Sequence, residues 1–145
     1  MFEIRKITAE TTFIVRNPVL RPNQPIENCR FEGDDLHTTT HFGYFNEEKL
    51  VGILSVFQKT NDCWQSKNQI QLRGMAVLAD FQKKGIGEEL IKKVIEFAQN
   101  NQVELIWFNA REKAVSFYEK LGFHKKGTAF EITGIGTHYL MYQKL

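Results

Sequence analysis

The period of apolar and polar positions changes several times along the chain, and each change marks an element. Phe2 and Ile4 alternate with Glu3 and Arg5, so Phe2–Ile7 reads as a strand with one covered face. Thr8 suits a helix N-cap, and the helix should run to about Arg16. Asn17-Pro18 should end it, because a residue before proline disfavours helical geometry. Pro18, Pro22 and Pro25 then punctuate an irregular segment to about Asp35, either one wall of a substrate site or a covering loop. His37–Phe45 and Leu50–Phe57 flank the polar Asn46–Lys49 and predict a hairpin. Asn61–Asn68 is polar and reads as a loop.

Ile70–Leu78 predicts a strand with Ile70 and Leu72 on one face and Gln71 and Arg73 on the other. Gly74 breaks the alternation, as at a bulge or a close backbone approach. In Gly85–Asn101, Ile86, Leu90, Ile91, Val94, Ile95, Phe97 and Ala98 recur at helical spacing. Glu88 to Lys92 and Glu89 to Lys93 are pairs one turn apart, each worth about 0.2–0.5 kcal/mol. Val103–Phe108 is a nearly continuous apolar run, as in a central strand covered on both faces. A further helix, Glu112–Leu121, turns Ala114, Phe117, Tyr118 and Leu121 inward, with Gly122 as a left-handed cap. Phe123–Phe130 and His138–Lys144 close the chain as strands joined through Ile132–Gly136. The order β, α, β-β-β, α, β, α, β-β predicts an α+β (mixed α/β) fold in one domain, residues 1–145, with no internal repeat.

Composition narrows the function classes. A chain of 145 residues, 42% apolar and 25% charged, can bury a real core. A net charge of +2 gives no ground for a nucleic-acid partner. Cys29 and Cys63 show neither metal-ligand spacing nor a redox pair, so no metal is expected and reduced cytoplasmic thiols are. Glu3, Arg5 and Lys6 interrupt the N-terminus, and no apolar run nears the roughly 18 residues of a membrane span. The expectation is a soluble cytoplasmic protein without a membrane partner. Twelve phenylalanines predict an aromatic core.

The chemistry concentrates where the Ile70–Leu78 strand passes through Gln82-Lys83-Lys84-Gly85-Ile86-Gly87 into a helix. A helix N-terminus exposes unsatisfied amides and carries roughly +0.5 of a charge, which favours a phosphate. Gly85 and Gly87 would let an anion approach, Lys83 and Lys84 add positive charge, and the Gln82 amide can donate. The spacing matches neither a P-loop nor a dinucleotide-binding glycine motif. The alternative reading is a tight strand-to-helix turn with solvated lysines.

Gln82–Gly87 fits the Gln/Arg-x-x-Gly-x-Gly/Ala signature, and the sequence resembles the GNAT superfamily of acetyl-CoA-dependent N-acetyltransferases. Ala114–Phe123, ending in Tyr-x-x-Leu-Gly-Phe, is similar to the family's second hallmark. Val19-Leu20-Arg21-Pro22 and Gly134–His138 resemble segments of the small ElaA-like members. The resemblance spans almost the whole chain. It implies a central, twisted, mixed but mostly antiparallel sheet of about seven strands flanked by helices.

It also implies acetyl transfer from acetyl-CoA to an amine by direct attack. Met75, Ala76 and Val77 would pair with the pantetheine arm, and an amide freed near Gly74 would meet the thioester oxygen. Gln82, Lys83, Lys84, Gly85, Ile86, Gly87 and Glu88 would surround the pyrophosphate, and Asn109 would reach the pantetheine amides. Arg111 would contact phosphate or pair with Glu112. Tyr118 stands at the position of the family's proton donor to the leaving thiolate; the alternative is a core tyrosine. Candidates for a general base are His138, His41 and Glu131, with ordered water as the alternative. Arg73 and Arg21 are either recognition groups for an acidic acceptor or solvated charges.

Two other classes compete with the enzyme: a catalytically silent CoA-binding sensor on the same fold, and a generic phosphate-binding domain. An exposed edge strand late in the chain is a candidate homodimer surface.

Overall fold

A computed structural model describes residues 1–145. Seven strands, β1 (Phe2–Ile7), β2 (Thr40–Asn46), β3 (Lys49–Gln58), β4 (Gln69–Val77), β5 (Leu105–Arg111), β6 (His124–Ile132) and β7 (Gly136–Lys144), form one mixed sheet in the order β1-β2-β3-β4-β5-β7-β6. The chain partitions into two compact units, residues 1–58 with 72–97 and residues 59–71 with 98–145.

In the first unit, β1 (Phe2–Ile7) pairs antiparallel with β2 (Thr40–Asn46), which pairs antiparallel with β3 (Lys49–Gln58). The hairpin turn is Glu47-Glu48, with φ of 49° and 70°. Two left-handed residues make a turn whose twist matches the flanking strands. β2 begins at Thr40 rather than at His37, because Leu36 and Thr39 bond backward to the Gly33 and Leu36 carbonyls in successive turns.

The Thr8 hydroxyl caps α1 (Ala9–Leu20), accepting the Thr11 N–H at 3.2 Å. Contrary to the sequence expectation, α1 runs through Pro18. Proline has no N–H for the Ile14 carbonyl, but Ile14 is 59% exposed and Pro18 is exposed, so water can serve on that side. The Asn17 side chain donates to the Arg21 and Gln24 carbonyls, 3.2 Å each, and steadies the extra turn.

The irregular segment after α1 is anchored by a buried network. Arg16, fully buried, makes a bidentate pair with Asp34 at 2.6 and 3.1 Å. It also donates to the Cys29 carbonyl at 2.8 Å and to Ser55 Oγ at 3.0 Å. The apolar core beside it comprises Val15, Leu50, Ile53 and Ala76, flanked by Ile7, Val19, Leu20, Phe45 and Leu78. β4 (Gln69–Val77) and α2 (Ile86–Asn100) bring this core to the strand-to-helix loop. α2 buries Ile86, Leu90, Ile91, Val94 and Ala98, as its periodicity predicts. Gly52 on β3 admits it closely, since a Cβ there would lie 2.9 Å from Ile86 Cγ2. Lys92 pairs with Glu88 at 3.3 Å, whereas Lys93 turns to Glu96 at 3.4 Å instead of Glu89.

In the second unit, the buried Gln69 side chain ties down the Asn61–Asn68 loop, accepting the Asn61 N–H at 2.8 Å and donating to the Ser66 carbonyl at 2.7 Å. Gln69–Gln71 of β4 pair in parallel with Leu105–Trp107 of β5 (Leu105–Arg111). β5 pairs antiparallel with β7 (Gly136–Lys144) over its whole length, and β7 pairs with β6 (His124–Ile132). Leu105–Phe108 are all buried, as expected of a strand covered on both faces. α3 (Val115–Lys120) follows a single 3-10 turn, and Gly122, at φ +94°, caps it as expected. β6 is the edge strand, and its residues through Glu131 are exposed.

Candidate active site

In the first unit, the end of β4 and the start of α2 make a backbone site. Gly74, at φ +70°, is the irregular point of β4, and a Cβ there would lie 2.9 Å from Phe31 Cε2. Met75 and Val77 are half-buried and Ala76 is buried, so β4 keeps its inward face beyond Gly74. The Leu78 N–H bonds the Val51 carbonyl at 2.9 Å and fixes the strand end.

The loop then turns sharply, with Lys83 at φ 63° and Gly85 at φ 84°. Gln82 is exposed, and its Nε2 donates to the Val77 carbonyl at 3.0 Å, so this amide braces the loop against the strand. The Glu89 N–H bonds the Gly85 carbonyl at 3.1 Å. The amides of Ile86, Gly87 and Glu88 precede that bond and are orphans of the first helical turn.

A Cβ on Gly85 would meet no atom within 4 Å. The glycine therefore faces open space beside orphan amides, which is a cradle that a phosphate can enter and a side chain would fill. Lys83 and Lys84 are exposed at its mouth, and Lys84 Nζ lies 5.4 Å from the Phe81 ring centroid. Glu88 is the one acidic residue among the expected binding set, and its carboxylate is engaged by Lys92. Gly87 falls inside α2, so the helix begins at Ile86 rather than Gly85.

Asn109, Arg111 and Tyr118 fall in the second unit. Asn109 and Arg111 lie on β5 itself rather than beyond it, opposite Leu140 and His138 of β7. The apolar run ends at Phe108, but pairing with β7 extends the strand by three residues. Asn109 is exposed; Arg111 is exposed and forms no ion pair with Glu112.

Tyr118 is partly buried among Phe108, Phe117 and Phe123, with ring centroids 4.5, 5.0 and 6.2 Å away. Its hydroxyl makes no hydrogen bond within the chain, and burial pushes its pKa up to about 12. The group is thus a neutral donor over the whole physiological range.

The candidate bases separate clearly. His41 is buried in the first unit with both ring nitrogens occupied, by Ser55 Oγ at 2.7 Å and the Asp34 carbonyl at 3.0 Å. It supports the Arg16–Asp34 pair. Glu131, exposed on β6, accepts a hydrogen bond from Thr137. His138, 5% exposed on β7, places Nδ1 at 2.8 Å from the Gly136 carbonyl. A carbonyl only accepts, so Nδ1 carries the proton and neutral His138 presents an unshared lone pair at Nε2.

Sequence reasoning missed the Arg16–Asp34–Ser55–His41 network. Its only sequence signal is the placement of Arg16 directly after inward-facing Val15 on α1.

A family model described as the acetyltransferase (GNAT) family matches residues 3–123. YitI of Bacillus subtilis (strain 168), an uncharacterized N-acetyltransferase, is 34% identical over 145 residues, spanning 100% of this chain and 97% of the relative. The crystal structure of Escherichia coli ElaA aligns with a TM-score of 0.77 at 17% identity, covering 99% of each chain. A GNAT family acetyltransferase from Elizabethkingia anophelis with acetyl-CoA bound aligns at 0.71 and 17% identity, covering 99% of this chain and 98% of that one. These structures agree in fold with the seven-stranded sheet and three helices described above. With a matching family model and a relative of nearly equal length at 34% identity, the chain belongs to the acetyltransferase (GNAT) family.

Proposed function

We propose that the 145 residues act as one acetyltransferase domain that moves the acetyl group of acetyl-CoA to an amine by direct attack. The observation that carries this reading is the Gly85 cradle: open space, a left-handed glycine, orphan amides and two lysines at the end of a strand interrupted by left-handed Gly74. Gln82, Lys83, Lys84, Gly85, Ile86, Gly87 and Glu88 surround the pyrophosphate, chiefly through backbone N–H groups. Met75, Ala76 and Val77 hold the pantetheine arm by backbone pairing, and Asn109 offers its amide to it. An amide beside Gly74 donates to the thioester oxygen as negative charge develops there.

Acetyl-CoA supplies an activated acyl group. The amine nitrogen bonds to the carbonyl carbon, the carbon–sulfur bond breaks, the amine loses a proton and the sulfur gains one. Tyr118 donates to the sulfur, and its neutral state at every physiological pH suits that role. His138 Nε2 is the candidate acceptor for the amine proton, since His41 has no free nitrogen. β6 offers an open edge to a second copy of the chain.

The test is release of CoA thiol from acetyl-CoA against a broad panel of primary amines. Turnover of at least one amine, with product acetylated on nitrogen, supports the reading. Acetyl-CoA binding with silence across the whole panel would favour a CoA-binding sensor instead.

A further inference from the structure

Three arginines of the first unit gather around one ring. The guanidinium carbons of Arg16, Arg73 and Arg21 lie 3.8, 4.7 and 5.7 Å from the Phe31 centroid. Their circumstances differ. Arg16 is buried and neutralised by Asp34. Arg30, from the same irregular segment, is paired with both Glu10 and Asp35 at 2.7 Å. Arg73 and Arg21 have no carboxylate within ion-pairing distance: Arg21 gives Nη1 to the Leu20 carbonyl at 3.2 Å, and Arg73 has only ring contacts. Asp34 and Glu32 attract Arg73 through space without bonding it.

The cost of this arrangement is visible in Arg73. Its pKa is lowered, first by desolvation and then by the charge of Arg16, with Arg21 adding to the repulsion. Phe31 and Phe57 lie 4.7 and 5.6 Å from its guanidinium carbon, yet the residue remains exposed. A guanidinium laid over an aromatic face keeps its N–H edge free for in-plane bonds, and that fork matches a carboxylate.

The location gives the cluster a purpose. Arg73 immediately precedes Gly74, whose backbone is held against the same Phe31 ring, and Met75–Val77 follow. The cluster therefore sits directly before the stretch assigned above to the acetyl-bearing arm. The geometry points to an acceptor subsite in which Arg73 and Arg21, seated on Phe31 beside Gly74, bind the carboxylate of an amine-bearing acceptor. The substrate class is then a carboxylated amine, such as an amino acid or a small peptide. This inference rests on the acetyltransferase reading.

The test compares thiol release for L-amino acids with that for their carboxamides, with phosphoethanolamine as a separate arm. The expected result is at least one amino acid with kcat/KM tenfold or more above its carboxamide. Arg73→Gln and Arg21→Gln should each lower kcat/KM for the acid roughly tenfold to a hundredfold through KM, as expected on losing a charged hydrogen bond. Arg73→Lys should fall short of full recovery, because an ammonium lacks the fork. Equal use of acid and carboxamide overturns the subsite, as does turnover confined to neutral amines or phosphoethanolamine, or an acid preference that survives both Gln substitutions. The matched comparison on the unaltered protein needs no variant to fold. Calorimetry with acetyl-CoA on the same preparation separates the failures: tight binding without carboxylate preference removes only the subsite, whereas no binding removes the acetyltransferase reading with it.

Discussion

Replacing Tyr118 with phenylalanine isolates the proposed proton donor from its surroundings. The ring keeps its contacts with Phe108, Phe117 and Phe123, and the lost hydroxyl breaks no hydrogen bond within the chain. Neutral-pH stability should therefore change by no more than about 0.5 kcal/mol. The catalytic loss should be far larger. With the phenol at about 12 and the CoA thiol near ~8.5, complete transfer even to the released thiolate is uphill by roughly 5 kcal/mol, and to the far less basic sulfur before cleavage it is more so. Donation must then accompany carbon–sulfur cleavage, and removing it should cost about 10²–10⁴-fold in kcat. Acetyl-CoA affinity should stay within about twofold, since the hydroxyl acts on charge that develops only during reaction. The assay is steady-state thiol release, with calorimetry for the cofactor and a thermal melt as a folding control. Unchanged kcat in a folded, acetyl-CoA-binding variant would refute the donor role. The same substitution has a linkage signature. The folded pKa is raised above the ordinary value near 10, so this stabilisation is full below pH 10 and is lost as pH rises toward about 12. Wild type should lose up to about 1.4 kcal/mol per pH unit across that window relative to Tyr118→Phe, measured by denaturant titration.

Gly85→Val should strain a left-handed position at a cost of about 1–2 kcal/mol, while its side chain occupies the open cradle and weakens acetyl-CoA binding about 10- to 100-fold by calorimetry. An unchanged dissociation constant would place the pyrophosphate elsewhere. Gly52→Ala should press on Ile86 from 2.9 Å and destabilise the fold by about 1–3 kcal/mol in urea unfolding, with a smaller loss of acetyl-CoA affinity as the start of α2 shifts. Asp34→Ala should cost about 3–5 kcal/mol, because it leaves the buried Arg16 charge without its partner, and Arg16 Nε already has no acceptor. A melt within a degree of wild type would show that water reaches that pair.

What the sequence made legible was whatever depends on near neighbours. The α2 stripe and the Leu105–Phe108 run follow from local periodicity, and the left-handed cap at Gly122 follows from a turn that only a few residues define. The misreadings came from distant partners. Arg16 reads as the polar end of a helix, yet its ligands Asp34 and Ser55 lie 18 and 39 residues away. The same burial of one face lets α1 carry Pro18 on its exposed side. Asn109 and Arg111 sit on a strand because β7, some thirty residues on, continues pairing past the apolar run. The Gln82–Gly87 loop was legible as a tight turn from strand into helix. The cluster of Arg73 and Arg21 on Phe31 was not, because only the fold brings those three residues together.

The most direct test of acetyl-CoA as the partner of the Gly85 cradle and the Met75–Val77 strand is a calorimetric titration of the intact protein with acetyl-CoA and, in parallel, ADP. Backbone pairing to the pantetheine arm adds to the pyrophosphate contacts, so acetyl-CoA should bind one per chain and at least tenfold more tightly than ADP. Equal affinities would mean that the loop holds phosphate alone, and would contradict the assignment of the strand to the acetyl-bearing arm.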